Sequence, residues 1–335
     1  MADYSFASDN TAGACPEAMA ALVAANEGFT SGYGTDHVTV QAADAVRGLL
    51  DADADVRFVA SGTAANAIAC AALCRPFEAV VAHHHAHICT DETGAPGFFG
   101  QGLGLIGVAG ASGRIDPAAL GEALAQPDAS YRQSPAALSI TNATEYGTVY
   151  TADAICALTT QARSSGLPVH LDGARLANAA ASGFDVTTIK GLGVDILVIG
   201  GTKAGAPLSE AVVLFDKALS RRFDARLKQA GQLPSKGRFL SSPWIGMLRE
   251  NAWTTRAAHA NAMAQKLATL MPFAIMHPVQ ANALFVEMDE AQLEALRARG
   301  WFVYRFLDGT VRFMCSWATT PDAVERLGEA LAAVR

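Results

Sequence analysis

Short apolar runs alternate along the chain with longer segments rich in alanine and leucine. The short runs are almost continuously apolar, which is typical of strands covered on both faces, and the longer segments have a helical pattern. This alternation predicts an α/β fold with a mostly parallel sheet wrapped by helices. The candidate strands are residues 56–60, 79–82, 137–141, 169–171, 196–199 and 211–215.

The pattern changes near Trp244, where a long helical segment runs through Leu270. The apolar stretches that follow it indicate a smaller β-α-β-β-α unit, and "SDNTAGACP" near the start is typical of an irregular arm. We therefore predict an N-terminal arm (residues 1–20), a large domain (21–245) and a small C-terminal domain (246–335).

The amino-acid composition indicates which kinds of molecule the protein binds. The 335 residues are 51% hydrophobic, which is ample for a core, and only 17% charged, with a formal net charge of -7 and no run of Lys or Arg. This balance argues against nucleic acid and favours small molecules. Six scattered cysteines without a C-x-x-C pair predict a reduced, cytoplasmic protein, and no apolar run predicts a membrane span.

A candidate anion-binding turn lies in "RFVASGTAAN". A strand ends near Ala60, Ser61, Gly62 and Thr63 form the turn, and an alanine-rich helix follows, so free backbone N–H groups face one point. The turn suits a phosphate. The alternative is a helix whose first N–H groups are simply capped by Ser61 or Thr63.

Four of the eight histidines lie together in "AHHHAH", just after a strand. In an extended backbone His83, His85 and His87 would share a face, which raises the possibility of a metal site. No acidic or cysteine ligand is fixed by spacing, however. Structural or surface roles, and stacking of one imidazole on a flat ring, remain open.

Two further motifs place charged residues after buried strands. In "HLDGAR", Asp172 ends a strand and Arg175 follows, either as ligand-binding residues or as a mutual salt bridge. In "GGTKAG", Lys203 follows the next strand among glycines and is either a desolvated nucleophile or a lysine that reaches solvent. An anion-binding turn, a stacking imidazole, a carboxylate and a lysine together describe a pyridoxal phosphate site.

The chain resembles the threonine aldolases among the fold-type-I, aspartate aminotransferase-like pyridoxal phosphate enzymes, which are grouped with the β-eliminating lyases. The resemblance covers nearly the whole chain and is carried by "SDNTAG", "YGTD", "SGTAAN", "AHI", "HLDGARLANA", "GGTKAG", "KQAGQLPSKGRFLSSPW" and "RFMCSW". The pair "HLDGAR" and "GGTK" is its most specific part.

The resemblance implies how the cofactor is held. Lys203 matches the lysine that bonds covalently to pyridoxal phosphate, Asp172 the carboxylate on the pyridine nitrogen, and His87 the imidazole stacked on the ring. Gly62 and Thr63 match the turn that holds the phosphate. We predict no metal-ligating residues among them.

It also implies a substrate site. Ser8, Arg175 and Arg312 match groups near the substrate carboxylate and the cofactor's phenolic oxygen. One motif departs from the family, because "TNATEYG" has Glu145 where many members have a histidine linked to the substrate hydroxyl. Either Glu145 or a water held by His87 is then a candidate base.

Three more residues match positions near a subunit boundary. Lys228 and Arg238 match basic residues that reach a phosphate across an interface, and Tyr33 matches a loop residue near a neighbouring subunit's site. The resemblance therefore implies a homodimer or homotetramer.

The implied activity is retro-aldol cleavage of β-hydroxy-α-amino acids such as threonine, allo-threonine or phenylserine to glycine and an aldehyde. Two alternatives remain at this point. One is β-elimination or racemisation on the same scaffold, and the other is a non-catalytic pyridoxal-binding or metal-binding protein.

Overall fold

The computed structural model describes residues 2–335, in which ten strands and fourteen α-helices alternate. The strands are β1 (Asp55–Val59), β2 (Glu78–His83), β3 (Gly104–Val108), β4 (Ser134–Thr141), β5 (Val169–Gly173), β6 (Ile196–Gly200), β7 (Glu210–Leu214), β8 (Ala283–Val286), β9 (Tyr304–Arg305) and β10 (Val311–Met314). The helices are α1 (Pro16–Ala24), α2 (His37–Leu50), α3 (Gly62–Leu73), α4 (His87–Thr90), α5 (Ala95–Phe99), α6 (Pro117–Leu124), α7 (Ala152–Ser164), α8 (Leu176–Ala181), α9 (Lys217–Ser220), α10 (Phe223–Gln229), α11 (Arg238–Leu248), α12 (Ala252–Leu270), α13 (Glu290–Ala298) and α14 (Pro321–Ala332).

Seven strands form the large sheet, in the order β1-β7-β6-β5-β4-β2-β3. Neighbours from β6 to β3 are parallel, whereas β7 is antiparallel to both β6 and β1. The predicted α/β class is confirmed, and all six predicted strands overlap observed ones. Strand β3 was not predicted, because Gly104 and Gly107 interrupt its apolar run.

The carboxyl ends of the parallel strands meet at one edge of this sheet. Strand β2 ends at His83, β4 at Thr141, β5 at Gly173 and β6 at Gly200. Helix α3 covers the same region and is buried along most of its length, because alanine lets it approach the strands closely. This edge is therefore the place where side chains from distant segments converge.

A second sheet has the order β8-β10-β9 and is antiparallel. With α13 and α14 it forms a separate hydrophobic cluster, into which the N-terminal segment inserts Phe6. The carbonyl of Phe6 accepts a hydrogen bond from the N–H of Met314 at 2.9 Å, so the N-terminal segment lies along β10. The domain boundaries at residues 20 and 245 stay a prediction.

Two details differ from the sequence-based prediction. Helix α1 begins at Pro16, so the irregular stretch before the first α-helix is shorter than 20 residues. The single helix predicted from Trp244 to Leu270 is wrong, because α11 and α12 are separated at Arg249–Asn251. Glu250 and Asn251 adopt positive φ angles of 55° and 59° there, which an α-helix cannot continue through.

Two further findings concern the helices and the cysteines of residues 2–335. None of the helices combines the length and apolar character that crossing a bilayer requires. All six cysteines are free thiols, and four of them, Cys15, Cys70, Cys74 and Cys315, are buried.

Candidate active site

Asp172 lies at the carboxyl end of β5 and is almost fully buried. One carboxylate oxygen accepts a hydrogen bond from the N–H of Ala174 at 2.9 Å, and the other accepts from the amide nitrogen of Asn66 at 2.9 Å. The alternative of a salt bridge with Arg175 is wrong, because Arg175 pairs elsewhere. The Asp172 carboxylate is therefore a buried acceptor held by neutral donors.

Lys203 lies in the turn after β6, as the sequence predicts, and is partly buried. Gly200 and Gly201 are required there, since a Cβ on either would collide with the carbonyl oxygens of Ala174 and Ser209. Within residues 2–335 the ammonium group has no hydrogen-bond partner. Its positive charge lowers the pKa of the nearby Asp9 carboxyl and opposes protonation of His87.

His87 begins α4 and faces two carboxylates. Its backbone N–H donates to Glu145 at 2.8 Å, and its ring Nδ1 lies 3.0 Å from Oε1 of Glu92. The hydrogen bond to Glu92 is the main cause that raises the pKa of His87 above its usual value. The buried carboxylate of Glu92 thus fixes the orientation of the His87 imidazole.

The predicted shared face of His83, His85 and His87 is wrong, because β2 ends at His83 and the chain turns before α4. His83 Nε2 lies 3.1 Å from the carbonyl of Gly110, and His85 Nδ1 lies 2.6 Å from the hydroxyl of Tyr146. Across residues 2–335, no group of three His, Cys, Asp or Glu side chains is arranged to hold a metal ion.

Glu145 follows β4 and is buried beside His87. Burial, and secondly the negative charge of Asp172, raise its pKa to about 7. Its second oxygen, Oε2, is buried without a hydrogen-bond partner. Near neutral pH this carboxyl group can therefore both release and accept a proton.

Two arginines reach the same region with different partners. Arg175 donates from Nε and Nη2 to the two oxygens of Asp9, at 2.7 and 3.0 Å. Burial alone would raise the pKa of Asp9, but the charge and hydrogen bonds of Arg175 outweigh it and hold the pKa at about 2. Arg175 is therefore locked to the N-terminal segment.

Arg312, by contrast, forms no ion pair with a carboxylate anywhere in residues 2–335. Its Nη2 donates to the carbonyl of Ala7 at 3.2 Å and to the hydroxyl of Tyr304, and its Nε is buried without a partner. Burial, and then repulsion by Arg175, lower the pKa of this guanidinium. Ser8, next to Ala7, is partly buried and caps a short 3-10 turn.

Helix α3 begins at the predicted anion-binding turn. The side chain of Ser61 accepts a hydrogen bond from the N–H of Ala64 at 3.2 Å, so the capping expected from the sequence is present. The space beside Gly62 is open, since a Cβ there would meet no atom within 4 Å. The N–H groups of Gly62 and Thr63 remain accessible to an anion.

Tyr33, Lys228 and Arg238 are taken together because the resemblance implies that all three lie near a subunit boundary. Lys228 Nζ lies 4.4 Å from the centre of the Tyr33 ring, and Arg238 donates to the carbonyl of Gly28 at 3.3 Å. No hydrogen bond or ion pair within residues 2–335 joins this group to Asp172 or Lys203. The structure therefore does not bring these three residues into the same contact network.

Sequence reasoning missed four buried polar residues of the site, Asp9, Asn66, Glu92 and Asn282. Asn66 donates to both Asp172 and Glu92, and Asn282 donates to Asp9 at 3.2 Å. Asn66 could have been recognised from the sequence, since it is the one amide residue within the alanine-rich α3 sequence "GTAANAIACAAL". No local sequence pattern identifies Asp9, Glu92 or Asn282 as site residues, because they contact residues elsewhere in the chain.

Comparison with known proteins gives the class and then the family. The fold matches serine palmitoyltransferase from S. paucimobilis with a TM-score of 0.69, covering 100% of this chain and 86% of that chain at 17% identity, so the chain has the fold-type-I architecture. The beta-eliminating lyase family model matches residues 5–291. The chain belongs to this family and to its threonine aldolases.

Two relatives support that membership. A low specificity L-threonine aldolase from Pseudomonas sp. is 44% identical over 98% of this chain and 97% of its own length. The threonine aldolase structure from Leishmania major superposes with a TM-score of 0.93 at 32% identity, covering 99% of this chain and 100% of that one. The chain is accordingly a pyridoxal phosphate-dependent lyase.

The residues at the sheet edge fit this cofactor. Asp172 offers a buried carboxylate for a protonated ring nitrogen, and Lys203 offers an amine without a hydrogen-bond partner in the described chain. The open space beside Gly62 suits a phosphate. Buried atoms without partners, among them Asn66 Oδ1 and Glu145 Oε2, also indicate that the site is shaped for a further polar group.

Proposed function

We propose that this lyase cleaves the Cα–Cβ bond of β-hydroxy-α-amino acids, namely L-threonine, L-allo-threonine and phenylserine, to glycine and an aldehyde. The observation that carries the proposal is the buried guanidinium of Arg312, which has no carboxylate partner in residues 2–335. A buried cation of this kind favours an anionic ligand, because an unpaired charge is costly. An amino acid carboxylate supplies the missing charge.

The range of substrates follows from the relatives. The Pseudomonas relative is named a low specificity L-threonine aldolase, and its 44% identity extends over nearly the whole of both chains. A site that accepts several β-substituents is consistent with that name. We therefore expect both aliphatic and aromatic aldehydes among the products.

Eight residues would hold the cofactor, five of them at the edge of the large sheet, in addition to Arg175 near its phenolic oxygen and to Lys228 and Arg238 reaching its phosphate from a neighbouring subunit. Lys203 would bond to it, Asp172 would keep a proton on its ring nitrogen, His87 would stack on its face, and Gly62 and Thr63 would bind its phosphate. When bound, pyridoxal phosphate supplies an electron-accepting ring. Asp172 suits its role because its two hydrogen bonds come from neutral donors and leave its negative charge uncompensated.

Substrate orientation would depend on the arginines. Arg312 and Ser8 would both donate charge-assisted hydrogen bonds to the carboxylate, while Arg175, fixed by Asp9, adds positive charge nearby. Such a clamp fixes the rotation about the Cα–N bond. It thereby determines which bond of Cα lies perpendicular to the ring and breaks.

Proton transfer would fall to Glu145 or His87. Cleavage requires removal of the proton from the β-hydroxyl, and a base with a pKa near 7 is well matched to that step at neutral pH. Glu145 replaces the histidine common in the family, and its contact with the backbone of His87 keeps both groups at one side of the site.

The test is to incubate the purified protein, loaded with pyridoxal phosphate, with each of the three amino acids. We expect glycine and acetaldehyde from threonine and allo-threonine, and glycine and benzaldehyde from phenylserine. Release of ammonia and a keto acid without glycine would instead identify β-elimination, and loss of optical rotation alone would identify racemisation.

We further infer that the protein acts as a homodimer or homotetramer. Within residues 2–335, no hydrogen bond or ion pair links Tyr33, Lys228 or Arg238 to Lys203, as expected for residues that serve a neighbouring subunit. An apolar cleft of about 490 Å³ lined by Val23, Leu208 and Phe239 suits a subunit contact. An active monomer in size-exclusion chromatography with light scattering would contradict this inference.

The compartment is proposed on chemical grounds. Six free cysteines, four of them buried, are typical of proteins kept in a reducing environment. We propose the cytoplasm, and fractionation of cells that express the untruncated gene tests it.

A further inference from the structure

Glu92 is a buried carboxylate that lies behind His87 and that none of the proposed chemical steps uses. Its side chain is fully buried, whereas that of His87 is 38% exposed. The two are joined by the 3.0 Å contact between Glu92 Oε1 and His87 Nδ1. A buried acid on one ring nitrogen constrains what the other nitrogen can do.

The same oxygen, Oε1, has a second partner. Asn66 donates one amide hydrogen to Glu92 Oε1 at 3.1 Å and the other to Asp172 at 2.9 Å. The opposite orientation of the amide would place its oxygen against two carboxylates, so the donor assignment is determined by the charges around it. Asn66 therefore links the acid behind His87 to the acid expected at the cofactor ring.

The charged groups that face His87 are Glu92, Glu145, Asp172 and Lys203. Glu145 contacts only the backbone N–H of His87, while Asp172 and Lys203 act through space. Among the residues described, only Glu92 hydrogen-bonds to the ring. The choice of tautomer, meaning which ring nitrogen carries the proton, is thus determined by a single hydrogen bond.

We propose that Glu92 is a positioning residue that fixes His87 in the tautomer protonated on Nδ1, so that Nε2 is free to accept a proton or to hold a water molecule. An ionised carboxylate accepts hydrogen bonds and cannot donate them, so the ring must present N–H toward Glu92. The role of this tautomer in catalysis rests on the proposed aldol cleavage. The assignment of the tautomer rests only on the contact between Glu92 and His87.

Two substitutions separate the hydrogen bond from the charge. Glu92→Leu removes both, so we expect the two tautomers of His87 to become comparably populated and its pKa to fall. Glu92→Gln retains an acceptor oxygen without the charge, so the Nδ1–H tautomer should be restored while the pKa stays below that of the wild type. Glu78→Gln, at the start of β2 and away from His87, serves as the control.

The measurement is nitrogen-15 NMR of the histidine rings in the apoprotein, with the His87 signals identified by their loss in His87→Phe. Unchanged His87 ring signals in both Glu92 variants would overturn the proposal. Because cofactor and substrate are absent, this result does not depend on the reaction. A tautomer change in a protein that makes no glycine would refute the proposed function and leave the positioning role intact.

Turnover by the holoenzyme adds a second readout. Loss of a partner behind a functional imidazole typically costs about 10- to 100-fold, and we expect Glu92→Leu to lower kcat by that factor with less effect on KM. In a His87→Phe background the same substitution should have almost no further effect, since it acts through His87. Full additivity of the two substitutions would contradict the proposal. Should Glu92→Leu fail to fold, Glu92→Gln can be compared with wild type, His87→Phe and the double variant in the same way.

Discussion

Asp9 and Arg175, which are 166 positions apart, form a two-point ion pair in which each carboxylate oxygen accepts a hydrogen bond, at 2.7 and 3.0 Å. The Asp9 side chain is buried and that of Arg175 largely so, and Asn282 donates a further hydrogen bond to Asp9. The pair fastens the N-terminal segment to the edge of the large sheet. Ser8 and the carbonyl that binds Arg312 are consequently held beside the site.

Asp9→Asn should destabilise the protein and weaken substrate binding together. Breaking a buried pair from one side typically costs about 3–5 kcal/mol, because the guanidinium of Arg175 is left unpaired. The pair's contribution in the wild type is present above the ordinary Asp pKa of 3.8 and is lost as pH falls toward about 2. Urea unfolding at pH 7 measures the loss, and a difference below 1 kcal/mol would contradict it.

Local sequence patterns were sufficient to place Asp172 and Lys203 at one edge of the sheet, because each stands at the carboxyl end of a continuous apolar strand and the ends of parallel strands meet. The roles assigned to these two residues stay a prediction. They were insufficient for Arg175, whose partner was decided by the distant Asp9 rather than by the nearby Asp172. The possible shared face of His83, His85 and His87 does not form, because it required an extended backbone through His87 and the strand ends at His83. The antiparallel direction of β7 likewise depends on pairing that no short stretch encodes.

Asp172→Asn should leave the cofactor bound and slow Cα–Cβ cleavage. A neutral amide cannot stabilise a proton on the ring nitrogen, and loss of one preorganised electrostatic contact typically costs roughly 10²- to 10³-fold in kcat. Absorbance of the bound cofactor and the rate of glycine release measure the two effects separately. Asp195→Asn is a matched control, since Asp195 lies just before β6 at the opposite edge of the sheet and binds Arg163. Near-normal turnover of Asp172→Asn with cofactor bound would refute the role.

Arg312→Ala should raise KM and lower kcat, because the same contact binds the carboxylate and orients the breaking bond. A hydrogen bond to a charged group is worth about 1.5–3 kcal/mol, which corresponds to roughly 10- to 100-fold in kcat/KM. Arg305→Ala is the control, since Arg305 is on the neighbouring strand β9 and pairs with Glu290. Equal kinetics of the two variants would leave Arg312 without a substrate role.

Glu145→Gln should remove a proton-transfer group and change the pH dependence of stability. Because its pKa is raised from 4.5 to about 7, the folded state binds this proton more tightly, and stability falls as pH rises through that interval. The shift corresponds to about 3 kcal/mol, and the variant should lack this fall. Urea unfolding of both apoproteins at pH 5 and pH 8 measures it.

Turnover tests the same residue independently. As a base Glu145 must be ionised, so the kcat of the wild type should rise through about pH 7 and that of Glu145→Gln should be about two to four decades lower. A loss of less than tenfold would assign the base role to His87 or to water.

Lys203→Ala should abolish both cofactor attachment and glycine production. The wild-type protein should be yellow when isolated, because Lys203 lies at a strand end where glycines make room and where its ammonium has no hydrogen-bond partner in residues 2–335. Borohydride reduction followed by peptide mapping should find the cofactor on Lys203 alone. Lys217→Ala, which removes a half-exposed lysine paired with Asp53, should remain yellow and active. An adduct on another lysine, or activity retained in Lys203→Ala, would mean that the lysine of "GGTKAG" only extends into solvent.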